Sequence, residues 1–269
     1  MTGTVIVSGA STGIGRATAQ HLSGLGFDVL AGVRREGDAP GGTTPVLLDV
    51  TDAAAVDALA QRMGGAPLAG LVNNAGVALG GPIEHLGVDG WRRQFDVNLF
   101  GHIAVSRALL PALRAGRGRI VNVGSIGGRM ALPFVAPYTA SKFALRAFSD
   151  SLRLEVRAQG IHVALLEPGS IATPIWDKGQ ATQQEVEDEL APELRERYAK
   201  GLEGARKQTA RAARDAIAPE KVAAVVEQAL TGRRPRAHYV IGREAKAQAL
   251  LAHLPAPVTD RLLRLAFGI

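Results

Sequence analysis

The sequence predicts an α/β chain built on a doubly wound parallel sheet of about seven strands, with helices on both faces. Three observations lead there. Short apolar runs recur along the chain without alternating in polarity, the pattern of strands covered on both sides. Helical stretches fall between them, which argues for right-handed crossovers between parallel strands. The first apolar run leads straight into a glycine-rich turn and then a helix, the context in which such sheets hold dinucleotides.

The elements follow in order. Residues 4–8 make the first strand. They run into Ser8-Gly9-Ala10-Ser11-Thr12-Gly13-Ile14-Gly15, whose glycines fall as G-x-x-x-G-x-G, and then a helix over residues 14–25. Glycine lets a backbone approach a pyrophosphate closely, and the free N–H groups at a helix start favour its charge. Strands follow at 28–33, 45–48, 70–72, 119–123, 162–166 and 238–241. Helices follow at 53–63, 88–113, 137–159 and 219–230. The stretch from Thr173 to Arg214 breaks the rhythm. It is long, charged and helical in propensity, so residues 173–215 read as a substrate-loop insertion or a solvated helical excursion. Residues 243–269 read as a helical tail.

Composition narrows the function. The 269 residues, 46% of them hydrophobic, allow one large-cored domain spanning 1–269. There is no cysteine, hence no disulfide, thiolate metal site or cysteine nucleophile. No spacing of His, Asp and Glu suggests a metal. The net charge of +6 is scattered, and aromatic residues make up only 4%, so no nucleic-acid platform is expected. The first strand begins at Thr4, which predicts no signal or transit peptide and a cytoplasmic protein. No apolar run reaches the ~20 residues of a membrane span.

The chemistry centres on Tyr138 and Lys142. Four residues along a helix is about one turn, which places phenol and ammonium on one face. A free Tyr titrates near ~10, and a neighbouring cation is expected to lower that. Ser125, at the end of a strand, would hold a carbonyl or alcohol oxygen beside the phenol. Asn98 lies inside a helical pattern, where Asn needs a reason to be. The second strand ends Val33-Arg34-Arg35, with no acid where a ribose 2′-hydroxyl would be held. Arg34 suits a 2′-phosphate, so NADP is expected, with Glu36 and Asp38 near enough to keep NAD as the alternative.

Taken together, Ser8 to Gly15, Asp49, Asn73-Asn74-Ala75-Gly76, Asn98, Ser125, Tyr138-Thr139-Ala140-Ser141-Lys142 and Pro168-Gly169 resemble the short-chain dehydrogenase/reductase family over nearly the whole chain. Val29 to Arg35 and Asp49-Val50-Thr51-Asp52 are similar to its hydroxysteroid and retinol dehydrogenase branch. Ser8 stands where the family usually has Thr. The resemblance implies a Rossmann-type fold, with Tyr138 as general acid/base and Lys142 bonding the nicotinamide ribose. It implies Ser125 on the substrate oxygen and Asn98 kinking its helix and supporting a proton relay. Cofactor contacts would come from Gly9, Ser11, Gly13, Ile14, Gly15, Arg34, Asp49, Val50, Asn74, Ala75, Gly76, Tyr138, Lys142, Pro168, Ile171 and Thr173. Asp49 would accept from the adenine amino group, and Ile171 and Thr173 would touch the carboxamide. Asp52 is placed in the first turn of the next helix.

Two rivals are weaker. Gly9-Ala10-Ser11-Thr12-Gly13 matches a hydrolase elbow by letter, but the dinucleotide loop explains it, and the six histidines read as ordinary. A non-catalytic dinucleotide sensor would not need Tyr, Lys, Ser and Asn together. The expected reaction interconverts an alcohol and a ketone or aldehyde on a mainly apolar substrate, with Leu132, Phe134, Val135, Ile175 and Trp176 as pocket candidates. Apolar residues on the helix over 137–159 suggest a homodimer or homotetramer. The tail is expected to pack on its own subunit or a neighbour, to cover the substrate mouth, or to rest on a membrane surface.

Overall fold

The computed structural model describes residues 3–175 and 184–269. The strands are β1 (Thr4–Ser8), β2 (Asp28–Val33), β3 (Thr44–Leu47), β4 (Leu68–Asn73), β5 (Arg119–Val123), β6 (His162–Pro168) and β7 (His238–Ile241). They form a wholly parallel sheet in the order β3-β2-β1-β4-β5-β6-β7. The helices are α1 (Gly13–Gly24), α2 (Ala53–Met63), α3 (Val88–Phe95), α4 (Gly101–Gly116), α5 (Ala136–Val156), α6 (Pro192–Arg214), α7 (Pro219–Thr231), α8 (Arg243–Leu251) and α9 (Ala256–Phe267).

The sheet has a core on each face. Val5, Val7, Val29, Ala31 and Val72 pack with Leu22 of α1 and Val222 and Val226 of α7 on one side. Ile6, Leu30, Leu71 and Ile120 pack with Leu59 of α2, Leu109 of α4 and Leu152 of α5 on the other. Strands buried on both faces cannot alternate apolar with polar, which is why the runs read as continuous. The winding reverses between β1 and β4, and the loops that leave those strands part there to open a crevice.

Three elements depart from the expectations. The helix over 88–113 is two helices joined by a π segment at Asp96–Phe100. Such a bulge inserts an extra residue into the turn and re-aims what it carries. Asp52 is the N-cap of α2, its carboxylate accepting from Ala54 N at 2.9 Å, and is not inside the first turn. Strands β4 and β6 extend beyond the expected ends, to Leu68 and Pro168. No helix among the described residues is long and apolar enough to cross a membrane. No cluster of His, Asp or Glu among them suits a metal ion.

Candidate active site

The end of β1 is braced from β4. Ser8 Oγ accepts from Asn74 N at 3.0 Å and Ala75 N at 3.2 Å. Asn74 Nδ2 donates to the carbonyls of Ser8 and Gly9, both at 3.1 Å. Gly9 and Gly13 sit at φ +64° and +55°, a region an L side chain rarely adopts. A Cβ on Gly9 would lie 2.9 Å from Ala75 Cα, and one on Gly15 would run into Gly9 O. Thr12 caps α1 without a side-chain bond, so the N–H groups of Gly13, Ile14 and Gly15 stay available. Ser11 O takes Arg16 Nη1 at 3.3 Å. The result is a concave backbone free of side chains at a helix N-terminus, which fits a pyrophosphate.

Arg34 and Asp49 lie just past the ends of β2 and β3. Arg34 is exposed and makes no hydrogen bond or ion pair with another described residue. Its neighbour Arg35 holds Asp38 instead, at 3.0 and 3.4 Å. Asp49 Oδ1 accepts from Thr51 N at 2.9 Å and Thr51 Oγ1 at 2.7 Å. Those bonds hold the carboxyl below its ordinary range, and the Arg34 charge adds to the effect. Val50 is buried, with its side chain against Gly101. Gly76 is exposed, with Asn98 Oδ1 3.5 Å and Lys142 Nζ 4.0 Å from the place its Cβ would take, and Ala75 is half-buried.

Ser125, Tyr138 and Lys142 meet at the ends of β4 and β5. Tyr138 and Lys142 lie one turn apart in α5, with the ammonium 5.8 Å from the phenol ring centroid. Lys142 is buried, and Nζ donates to Val123 O at 3.0 Å. Ser125 follows β5 and takes Gly127 N at 3.0 Å, and its hydroxyl and the Tyr138 ring both lie beside Gly127. The expected lowering of the Tyr138 pKa is not what this geometry gives. Burial raises it, the Ser125 hydrogen bond offsets part of that, and burial lowers Lys142 to about 8. Desolvation outweighs the pair's attraction because both groups are withdrawn from water.

Asn98 sits in the π segment, fully buried. Its Oδ1 accepts from Val77 N at 2.9 Å, and its Nδ2 donates to Val77 O at 3.0 Å and Ser141 Oγ at 3.1 Å. It thus ties Val77, just after the Asn74-Ala75-Gly76 turn, to α5. Gln94, one turn earlier, does the same for the next residues, taking Leu79 N and donating to Val77 O, both at 2.7 Å. His102 is also fully buried, with Nε2 2.7 Å from Ala75 O. Burial and the Lys142 charge push it down to about 3, so it is neutral. Gln94 and His102 escaped the sequence reading. For His102 the available signal was a polar residue at the start of the largely apolar α4; Gln94 sits in the charged α3, where nothing set it apart.

Pro168, the last residue of β6, and Ile171 beyond it are buried, and the chain is pinned where Ile171 bridges Ile217. Thr173 closes over the glycine turn, its Cγ2 3.0 Å from the place a Cβ on Gly13 would take. Of the pocket candidates, Leu132, Phe134, Val135 and Ile175 are half-buried. Trp176 lies outside the described residues.

Phe134, four residues before Tyr138, has φ +63°, a strained value for a bulky residue. It is held there from three sides. Its carbonyl accepts from Gly81 N at 2.7 Å. Its ring meets Tyr198 of α6 edge-on at 6.2 Å and stacks near Phe267 of α9 at 6.5 Å. Gly201 and Gly204 make room in α6, since a Cβ on either would strike the Phe134 ring or the Phe267 backbone. Two glycines three apart inside a helix each cost about 1 kcal/mol; that anomaly in the sequence marks the close approach.

The family model for short chain dehydrogenases matches residues 3–184. Retinol dehydrogenase 5 of Mus musculus is 38% identical over 281 residues, covering 96% of this chain and 87% of its own length. A short chain dehydrogenase of Burkholderia cenocepacia J2315, solved in complex with NADP, has a TM-score of 0.77 and 27% identity, with 97% of each chain covered. One from Burkholderia phymatum, solved with NAD, has a TM-score of 0.74 and 25% identity over 98% of this chain and 92% of that one. The chain belongs to the short-chain dehydrogenase/reductase family, oxidoreductases of alcohol and carbonyl groups, and resembles its retinol and hydroxysteroid dehydrogenase branch.

Proposed function

We propose that this chain is an NADP(H)-dependent oxidoreductase that interconverts an alcohol and a ketone or aldehyde on a mainly apolar substrate. The observation that carries it is the meeting of Ser125, Tyr138 and Lys142 beside a side-chain-free cradle at the carboxyl ends of the central strands. The cradle of Gly9, Gly13 and Gly15, with Ser11 and Ile14, would hold the pyrophosphate. Asp49 would take the adenine amino group and Val50, Asn74, Ala75 and Gly76 would line the adenosine, while Pro168, Ile171 and Thr173 would face the carboxamide. The bound nicotinamide supplies or accepts the hydride.

In reduction, Ser125 holds the substrate oxygen and Tyr138 gives it a proton as the carbonyl electron pair moves onto that oxygen. Burial keeps the phenol protonated at neutral pH, which suits a donor. Lys142, charged below about 8, bonds the nicotinamide ribose and draws the proton reserve toward Tyr138. Asn98 supports that relay by position, because its amide is engaged with Val77 and Ser141. We place the protein in the cytoplasm as one catalytic unit, with residues 173–215 and the tail 243–269 around the substrate.

Cofactor choice follows from the end of β2. Arg34 is unengaged while Asp38 is occupied by Arg35, so a positive group faces the 2′ position and the nearby acid is neutralised. A panel of ketones, aldehydes and alcohols, followed by absorbance of the reduced nicotinamide, tests the reading. NADPH should outperform NADH. Arg34→Ala should raise the KM for NADP about tenfold, the equivalent of ~1.4 kcal/mol for one exposed charged contact, and leave that for NAD unchanged. Equal efficiency with both cofactors in the unmutated protein would remove the argument.

A homodimer or a tetramer of such dimers also belongs to this reading. In α5, Leu145, Leu152 and Val156 are taken up by the core, but Phe143 and Leu154 remain 42% and 65% exposed. Phe100, in the π segment, is 56% exposed. Apolar surface left over after core packing favours a partner of the same kind. Light scattering at micromolar protein should give twice or four times the chain mass, and a monomer there would refute it.

A further inference from the structure

Behind the active site, five charged side chains form a continuous row. Glu167 is the penultimate residue of β6, just before Pro168, and is 0% exposed. Arg129, four residues after Ser125, grips it with both arms, Nε to Oε1 at 2.7 Å and Nη2 to Oε2 at 2.6 Å. His238, the first residue of β7, stands with Nδ1 3.2 Å from Glu167 Oε2 and Nε2 2.9 Å from Asp150 Oδ1 in α5. Arg153 holds Asp150 at 3.1 Å. Both acceptors around His238 are carboxylates, so only an imidazolium can donate to each; a neutral ring leaves one facing a lone pair. From α8, Ala245 and Ala249 pack with Ile126 of the turn after Ser125 and Val240 of β7.

The row joins two segments that the reaction needs in register. Arg129 closes the short 3₁₀ turn Ile126–Gly128 that begins at Ser125, and that turn sits against the backbone of Lys142. Glu167 leads directly into Pro168 and Gly169. A forked guanidinium–carboxylate pair fixes both distance and angle between its two anchors. Removing one partner leaves a buried charge alone, so the fork holds firmly while intact.

We propose that Arg129, Glu167 and His238 form a positioning strut that sets the spacing between the Ser125 turn and the Pro168 segment, and that its grip follows the charge on His238. The strut rests on the oxidoreductase reading above. The two carboxylates raise the His238 pKa above its ordinary value, with Glu167 the main cause, so the ring is charged at mildly acidic pH and the grip is lost as pH rises through that raised value.

The test compares the unmutated protein with Arg129→Lys, Glu167→Gln and His238→Gln, using the best carbonyl of the panel and NADPH. Arg129→Lys keeps the charge but not the fork. It should lose about tenfold in kcat while NADPH affinity, read by the fluorescence of the bound cofactor, stays within threefold. The ratio of kcat/KM between the unmutated protein and His238→Gln should be about ten at pH 6 and approach one at alkaline pH. That ratio cancels the titrations of Tyr138 and Lys142, which the two proteins share. Melting temperatures taken at each pH separate lost stability from lost register. In the absence of turnover, proton NMR of the imidazoles still decides, with His238→Gln identifying the resonance. Titration of His238 above its ordinary value of about 6.5, falling in Glu167→Gln, is the expected result. Arg129→Lys and His238→Gln both within twofold of the unmutated rate from pH 6 to 9, or a His238 ring titrating below its ordinary value, would overturn the strut. A Tyr138→Phe variant that keeps its turnover would overturn the oxidoreductase reading instead.

Discussion

Replacing Tyr138 by phenylalanine is expected to lower turnover by ~10²–10⁴-fold, the contribution of a positioned proton donor, while leaving cofactor affinity nearly unchanged. The ring keeps its place beside Gly127, and only the hydroxyl is lost. The hydride chemistry still has its carrier, but the developing oxygen charge has no proton to meet it. Lys142→Ala should differ in kind, losing turnover and cofactor affinity together, because that ammonium faces both partners in the proposed arrangement. Steady-state kinetics with NADPH and a fluorescence titration of NADPH binding distinguish the two patterns. A Tyr138→Phe protein with most of its turnover intact would refute the proton-transfer assignment.

Truncation after Leu254 is expected to raise the KM for the carbonyl substrate by ~5–150-fold while leaving cofactor affinity within a few-fold. The deletion removes α9 and with it Phe267, which is 6% exposed and stacks near Phe134. A left-handed φ at a bulky residue is held against ~1–3 kcal/mol of strain. Without the clasp that strain relaxes, and the segment before Tyr138 leaves its binding geometry by the corresponding factor. Gln208 Nε2 also loses its bond to Ala266 O at 2.8 Å. The point substitution Phe267→Ala should move KM in the same direction with a smaller loss of stability. Truncated and full-length proteins with the same substrate kinetics and the same mass in solution would show that the tail has neither role.

The outer face of α9 is a separate matter. Val258, Leu262 and Leu265 stay exposed, while Thr259, Leu263 and Phe267 turn inward. The tail therefore packs on its own chain, the outcome expected of an amphipathic segment beside a charged helix with two glycines.

Much of this protein was legible in its sequence because the deciding forces are local or periodic. The strands at Thr4–Ser8, Arg119–Val123 and His238–Ile241 begin and end where apolar runs meet turn residues. The glycine turn, Asn74 and the Tyr138–Lys142 pair declare themselves through spacing, since a turn of helix or a sharp loop constrains neighbours in the chain. Asn98 announced itself as a poor helix residue, although the π segment around it came only with the structure.

Other features needed the tertiary structure, because they arise between residues far apart in sequence. Whether Lys142 lowers the Tyr138 pKa depends on how deeply both are buried, and burial comes from the whole sheet and its helices. Glu167, Arg129 and His238 are ordinary letters until β5, β6 and β7 lie side by side and their ends converge. Phe134 is strained only because helices α6 and α9 arrive to hold it. The sequence by itself determined the sheet, the cradle and the candidate proton donor, all set by short-range spacing. The tertiary structure alone decided the charges behind the site and the clasp above it, since desolvation and packing depend on which distant segments are brought together.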